Sequence, residues 1–256
     1  MRLFEKANSK ENNFTLLRFM AAFAVIISHN FALWGATEPN IRGFSSLGGI
    51  GLYTFFIMSG YLITKSYINN PRIIYFFWNR ILRIFPALIP VFLFSVFIIG
   101  PNVSTLSFEE YFHNPVTWEY LKGIFLFPIG FSLPGVFLDN PYPVSVNGSI
   151  WTLPVEFFLY ICIGIIGIAG LLYKKSFAPL TLFIMIFSDF FFNKPEYQGV
   201  IFSSIPVYQG LKLSIYFLIG SFFYLYREKI YFNSKLAIIA IVLFILSIGT
   251  PYVFIL

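Results

Sequence analysis

Apolar runs near the length of a membrane crossing recur along the chain: Phe14 to Leu33, Gly48 to Tyr67, Ile81 to Ile99, Ile150 to Tyr173, Phe177 to Phe192, Leu211 to Tyr226 and Leu236 to Leu256. Each approaches the ~20 residues that cross a hydrocarbon core about 30 Å thick. In hydrocarbon the backbone must satisfy its own hydrogen bonds, which leaves helices or closed barrels. Barrel strands alternate apolar and polar positions, and LAIIAIVLFILSIG does not alternate. The expected fold is therefore all-α, a polytopic transmembrane helical bundle with about seven clear spans. One or two re-entrant or interfacial segments are expected besides, at Leu121 to Leu138 and Gly199 to Gly210, where Pro and Gly break the apolar pattern. Composition agrees: 58% of the 256 residues are hydrophobic and only 11% are charged, too few charges for a water-soluble domain of this size.

The basic residues orient the chain. With seven alternating spans and a cytoplasmic N-terminus, twelve Lys and Arg fall inside, four fall outside (Arg42, Lys122, Lys194 and Lys212) and Arg18 lies in the bilayer. The positive-inside rule favours that arrangement and predicts a multi-pass protein of the cytoplasmic (inner) membrane. Anionic lipid beside short cytoplasmic loops accounts for the net charge of +6, so no nucleic-acid partner is expected. The single Cys162 permits no internal disulfide. No repeat or soluble domain interrupts the sequence, and residues 1–256 read as one integral membrane domain. The longest stretch outside the spans, Gly100 to Gly148, is expected to lie on the outer surface or to fold over a cavity mouth.

Several polar groups stand out against this background. Arg18 and His29 are eleven positions apart, about three helical turns, so they project from nearly one face about 16 Å from each other. They either line a polar passage, or Arg18 snorkels to headgroups while His29 bonds a carbonyl. In SIWTLPVEFFLY, Trp151 suits the outer interface, Thr152 and Pro154 suit a helix start, and Glu156 falls about a turn into the membrane, at the depth of His29. A carboxylate there needs a proton, a cation or a donor. His29 held by Glu156 reads as a general base, with a structural ion pair as the alternative. In FFIMSGYLIT, Ser59 and Gly60 fit close helix packing, and no nucleophile elbow surrounds Ser59. In RILR, Arg80 and Arg83 share one helix face before Pro86 and can grip a phosphate, although basic residues also commonly mark a cytoplasmic helix end. His113 has no Cys or acid at ligand spacing, so no metal is expected.

These motifs, in this order, resemble the membrane acyltransferase-3 family: Arg18 with His29, FFIMSGYLIT, RILR and SIWTLPVEFFLY, with a weaker likeness at FLIGSFFYLYR. The resemblance covers about Thr15 to Arg227. It implies transfer of an acyl group, most often acetyl, from cytoplasmic acyl-coenzyme A (acetyl-CoA) to a hydroxyl of an extracytoplasmic carbohydrate. His29 then matches the essential histidine, Arg18 its basic companion, Arg80 and Arg83 the pair associated with coenzyme A, and Glu156 the acid of the tryptophan-containing motif; Ser59, Trp151 and Thr152 are supporting positions. Family members carry more spans than are counted here, so the last family helices are expected to be missing. A proton-coupled transporter of a small polar substrate would also place Arg, His and Glu along a membrane cavity, and a truncated, non-catalytic relative would keep the same motifs.

Overall fold

The computed structural model describes residues 13–41, 44–174, 176–192, 199–201 and 205–231, with 233, 235, 238, 239, 242 and 246. The expected span Leu236 to Leu256 lies largely outside the described residues, as do Arg42, Lys175 and Lys194.

Among the described residues, four helices are long and apolar enough to cross a membrane: Phe14–Leu33, Leu47–Asn69, Ile73–Val103 and Gly148–Ile168. The element order begins with α1 (Phe14–Leu33), a two-residue β-hairpin of β1 (Asn40–Ile41) and β2 (Ser45–Ser46), α2 (Leu47–Asn69) and α3 (Ile73–Phe94). A π-turn, Ser95–Ile99, carries α3 without a break into α4 (Gly100–Val103). Next come α5 (Phe108–His113), α6 (Pro115–Leu121), and α7 (Thr152–Ile168), which is preceded by a 3₁₀ turn at Gly148–Trp151. The order closes with α8 (Phe177–Phe192), a second hairpin of β3 (Val200–Ile201) and β4 (Ile205–Pro206), and α9 (Val207–Leu225).

Compared with the expected spans, α8 is helical but has only 16 residues, short of a perpendicular crossing. Helix α9 has 19 residues but places Gln209 and Lys212 in its first two turns. The segment Leu121 to Leu138 forms no spanning helix: after a 3₁₀ turn at Lys122–Phe125 it runs irregularly, burying Leu126, Ile129, Leu133 and Val136. The described residues of Gly199 to Gly210 form the β3–β4 pair and the start of α9.

The chain divides into two compact units, one taking the described parts of residues 1–64 and 216–256, the other Lys65–Ile215. In the first unit the helices meet through missing side chains. A Cβ at Gly60 would overlap the carbonyl oxygen of Phe217, and one at Gly220 would overlap that of Ile57, so α2 and α9 pack backbone to backbone. Gly51 admits the Ala21 carbonyl of α1 in the same way. Small residues make such approaches possible, and lipid-facing helices gain van der Waals contact from them. Buried Thr64 donates to Ser221 Oγ at 3.0 Å across α2 and α9. Leu17, Phe19, Met20, Phe23 and Ile26 of α1 remain exposed, as expected for a face that meets lipid.

In the second unit α3 and α7 pack antiparallel, with Arg80 against Tyr160 at one end and Val91 beside Ile150 at the other. Gly164 and Gly167 let α7 sit tightly against Phe77 and Tyr67. The stretch between Gly100 and Gly148 is folded. Ser107 caps α5 in a reciprocal box with Glu110, and Asn114 caps α6 through the amide of Val116, with Pro115 in its first turn. Tyr111 is wholly buried and donates to the Val96 carbonyl at 3.1 Å, pinning this segment to the π-turn. Burial pushes the Tyr111 hydroxyl up to about 12, so it stays a donor throughout the neutral range.

Candidate active site

Two sequence motifs meet in the second unit. Helix α3 begins at Ile73, so RILR does not mark a helix end. Arg80 and Arg83 lie about 10 and 15 Å along the axis from that start, and the helix continues through Pro86 and Pro90. Arg83 is exposed and Arg80 half-buried. The Arg80 guanidinium lies 5.7 Å from the ring centroids of both Phe76 and Tyr160, within range of a cation–π attraction. Its Nη2 reaches Ser66 Oγ at 3.5 Å, while its Nε is buried with no hydrogen-bond partner. Such an unused donor costs on the order of 1–3 kcal/mol, a debt that a bound acceptor group would remove.

Tyr160 is wholly buried, and its hydroxyl donates to Glu156 Oε1, one helical turn earlier on α7. One side chain thus carries a carboxylate on its hydroxyl and a guanidinium on its ring. Glu156 and Arg83 also line one cavity of about 360 Å³, whose remaining wall is apolar and comes from Ile84, Ala87, Leu88, Val91, Ile150 and Leu153. Charge of both signs therefore stands at the rim of a hydrocarbon-walled space between α3 and α7.

The start of α7 is fixed from outside the helix. Asn147 Nδ2 donates to Ser95 Oγ at 2.7 Å and to Tyr120 Oη at 2.8 Å, and Ser95 in turn donates to the Val91 carbonyl. That chain of bonds ties the residue before the 3₁₀ turn to α3 and α6, just ahead of the helix that brings Glu156 to the cavity lined by Arg83. Trp151 and Thr152, at the junction of turn and helix, are half-buried.

Arg18 and His29 belong to the other unit. Both are exposed on α1, whereas the neighbouring Ser28 is buried, donates to Glu38 and faces Gly48 of α2. Ser59 is half-buried on α2. Sequence reasoning passed over Tyr160, Asn147 and Glu38. For Tyr160 a signal existed, since it follows Glu156 by four positions, the spacing of neighbours on one helix face. For Asn147 there was none, because its partners lie 27 and 52 residues away.

A family profile described as an acyltransferase domain matches residues 11–256. The chain belongs to the acyltransferase-3 family. An O-acetyl transferase of Shigella phage Sf6 is 34% identical to this acyltransferase-3 chain over 220 residues, covering 86% of it and 64% of the phage protein. Nodulation protein 10 of Rhizobium leguminosarum bv. viciae is 34% identical over 167 residues, covering 61% of this chain and 44% of the relative. The chain thus spans less than two thirds of the length of these curated relatives. No solved structure matches it. Its family and its four long apolar helices make it a membrane protein.

Proposed function

We propose that this chain is a membrane O-acyltransferase of the cytoplasmic membrane, N-terminus inside. It moves an acyl group, acetyl in the simplest case, from cytoplasmic acyl-coenzyme A to a hydroxyl of an extracytoplasmic carbohydrate. The observation that carries the reading is the convergence of the RILR pair with Glu156. Arg83 and Glu156 line one apolar-walled cavity, and Arg80, with a buried unpaired N–H, lies against the ring of Tyr160, whose hydroxyl bonds Glu156. Phosphate and amide oxygens of a coenzyme A arm are acceptors suited to Arg80 and Arg83, and the pantetheine chain suits the wall of Ile84, Leu88 and Leu153. The phage relative, an O-acetyl transferase, supports the same class of reaction.

In this reading Arg18 assists passage of the donor and His29 is the base. The acceptor oxygen forms its bond to the thioester carbonyl carbon, the carbon–sulfur bond breaks, and the proton leaving the hydroxyl passes to His29 and then to the coenzyme A sulfur. Glu156 is the acid of this reading, and Tyr160 fixes its carboxylate. Transfer of label from acetyl-coenzyme A to extracted surface glycan, in membranes with and without the protein, tests the activity. His29→Ala and Glu156→Gln are each expected to reduce it by at least about 100-fold, the scale of positioned proton transfer. Undiminished transfer in either purified variant removes that residue from the mechanism.

A further inference from the structure

A second cavity in the same unit, of about 380 Å³, has a different chemistry. Phe131, Tyr142 and Trp151 supply three aromatic rings, Ser145 and Gln209 supply polar groups, and among the described residues no charged one lines it. Its volume falls in the range of small-molecule sites, ~300–1,000 Å³. The neighbouring cavity, with Arg83 and Glu156, is built for charge; this one is built for a neutral molecule that has both an apolar face and hydroxyl edges. A pyranose ring is such a molecule. Its C–H face packs on the negative face of an aromatic ring, and its hydroxyls need partners that both donate and accept, as a serine hydroxyl and a glutamine amide do.

An independent observation points the same way. Ser145 Oγ lines the cavity, is buried and has no hydrogen-bond partner. An orphan hydroxyl calls for a specific cause, and a ligand hydroxyl supplies one. Gly148 keeps that space open, since a Cβ there would come within 2.7 Å of Ser145 Oγ. The location fits as well: Gly148 and Trp151 belong to the 3₁₀ turn that leads into α7, and Glu156 lies about 6 Å along the axis from Thr152. Residues of this turn and the following helix thus line the two cavities in alternation, Gly148 and Trp151 the neutral one, Ile150, Leu153 and Glu156 the charged one.

We propose that this aromatic cavity is the acceptor subsite and holds one neutral hexopyranose unit of the glycan against Trp151 and Tyr142. The assignment of the sugar as acceptor rests on the acyl-transfer reading above; the binding itself does not.

Saturation-transfer difference NMR tests it, using the full chain in a detergent that carries no sugar headgroup, with methyl α-D-gluco-, galacto- and mannopyranosides as probes. At least one glycoside is expected to show ring C–H signals. Binding should weaken about tenfold, the scale of one lost contact, in Tyr142→Ala and separately in Gln209→Ala. Tyr142 is 49% exposed, so its truncation leaves the fold intact. Phe108→Ala, an exposed aromatic of the same segment that does not line the cavity, should keep the signal. No signal from any glycoside, or signals undiminished in both cavity variants, overturns the proposal. If the sugar signals behave as expected while no acyl transfer is found, the cavity stands as a sugar site and the transfer reading fails.

Discussion

Within each of the two units of this chain the helices pack with a different emphasis, although both units use glycine contacts and aromatic pairs, Gly167 against Tyr67 in the second and Tyr53 on Tyr216 in the first. In the first, α2 and α9 approach because Gly60 and Gly220 have nothing to place between the backbones, and buried Ser221 links them by accepting from Thr64 and reaching the Gly60 carbonyl at 3.4 Å. In the second, aromatic rings and polar side chains do the joining: Asn147 bridges Ser95 and Tyr120, Tyr111 reaches Val96, and Tyr160 couples Arg80 to Glu156. Contact by absence gives close, inert packing. Contact through polar groups gives fixed positions for charges, and the charged cavity is found in the unit built that way.

The strongest way to break this contrast is to add one carbon. At Gly60 a Cβ meets a backbone oxygen, which cannot rotate away, so Gly60→Ala should cost at least the ~1–3 kcal/mol typical of overpacking. Gly130 has nothing closer than 3.9 Å around the same added atom, and Gly130→Ala should stay within about 0.5 kcal/mol of the parent. Thermal unfolding in detergent compares the pair; equal melting temperatures would mean that α2 and α9 do not depend on the missing side chain.

The next largest effect exchanges the units. Asn147→Ala removes two hydrogen bonds and leaves Tyr120 and Ser95 each short of a partner, at a cost of roughly 2 kcal/mol. Thr64→Val removes one bond, and Ser221 still donates to the Phe217 carbonyl at 3.2 Å, so about 1 kcal/mol or less is expected. Unfolding measured on both variants orders them; a larger loss in Thr64→Val would reverse the comparison.

Tyr160→Phe comes third. It keeps the ring under Arg80 and deletes the hydroxyl that orients Glu156, so the fold should survive and acyl transfer should fall about tenfold. The loss should lie in kcat with the donor KM little changed, whereas Arg83→Ala should raise the donor KM. A raised donor KM in Tyr160→Phe would place the hydroxyl in donor binding instead.

These residues also show where sequence reasoning reached and where it stopped. The helices around Arg18, Ser59 and Glu156 were legible because an apolar run of membrane length has one stable backbone solution. The segment Leu121 to Leu138 was not, since its buried residues Leu126, Ile129, Leu133 and Val136 lie in irregular chain beside exposed Phe125 and Leu138, where no period marks them. The sequence pointed Glu156 toward His29 and RILR toward a phosphate; that Glu156 and Arg83 line one cavity depends on Asn147 and the glycines of α7, contacts with no local pattern. The neutral cavity was missed for the same reason, as its wall joins Phe131, Trp151 and Gln209 from separate segments.

The smallest expected effect concerns the folded segment between the spans. Hydrogen bonds from the Ser107 side chain and then its backbone amide hold the Glu110 carboxyl below the ordinary glutamate range. A carboxyl depressed in the folded state contributes above its unfolded pKa, near 4.3, and that contribution is lost as pH falls through the folded value. Below about pH 4 the α5 cap should therefore loosen. The change should stay local, because Tyr111, the next residue, keeps its hydroxyl on the Val96 carbonyl at any acid pH. Hydrogen exchange across residues 107–111, corrected for intrinsic rates, should show protection falling on acidification in the parent. In Glu110→Gln, which keeps an acceptor but cannot titrate, it should stay flat. Equal pH dependence in both would mean that the Glu110 charge does not hold α5, and that the neutral Ser107 cap and buried Tyr111 fasten this edge of the second unit instead.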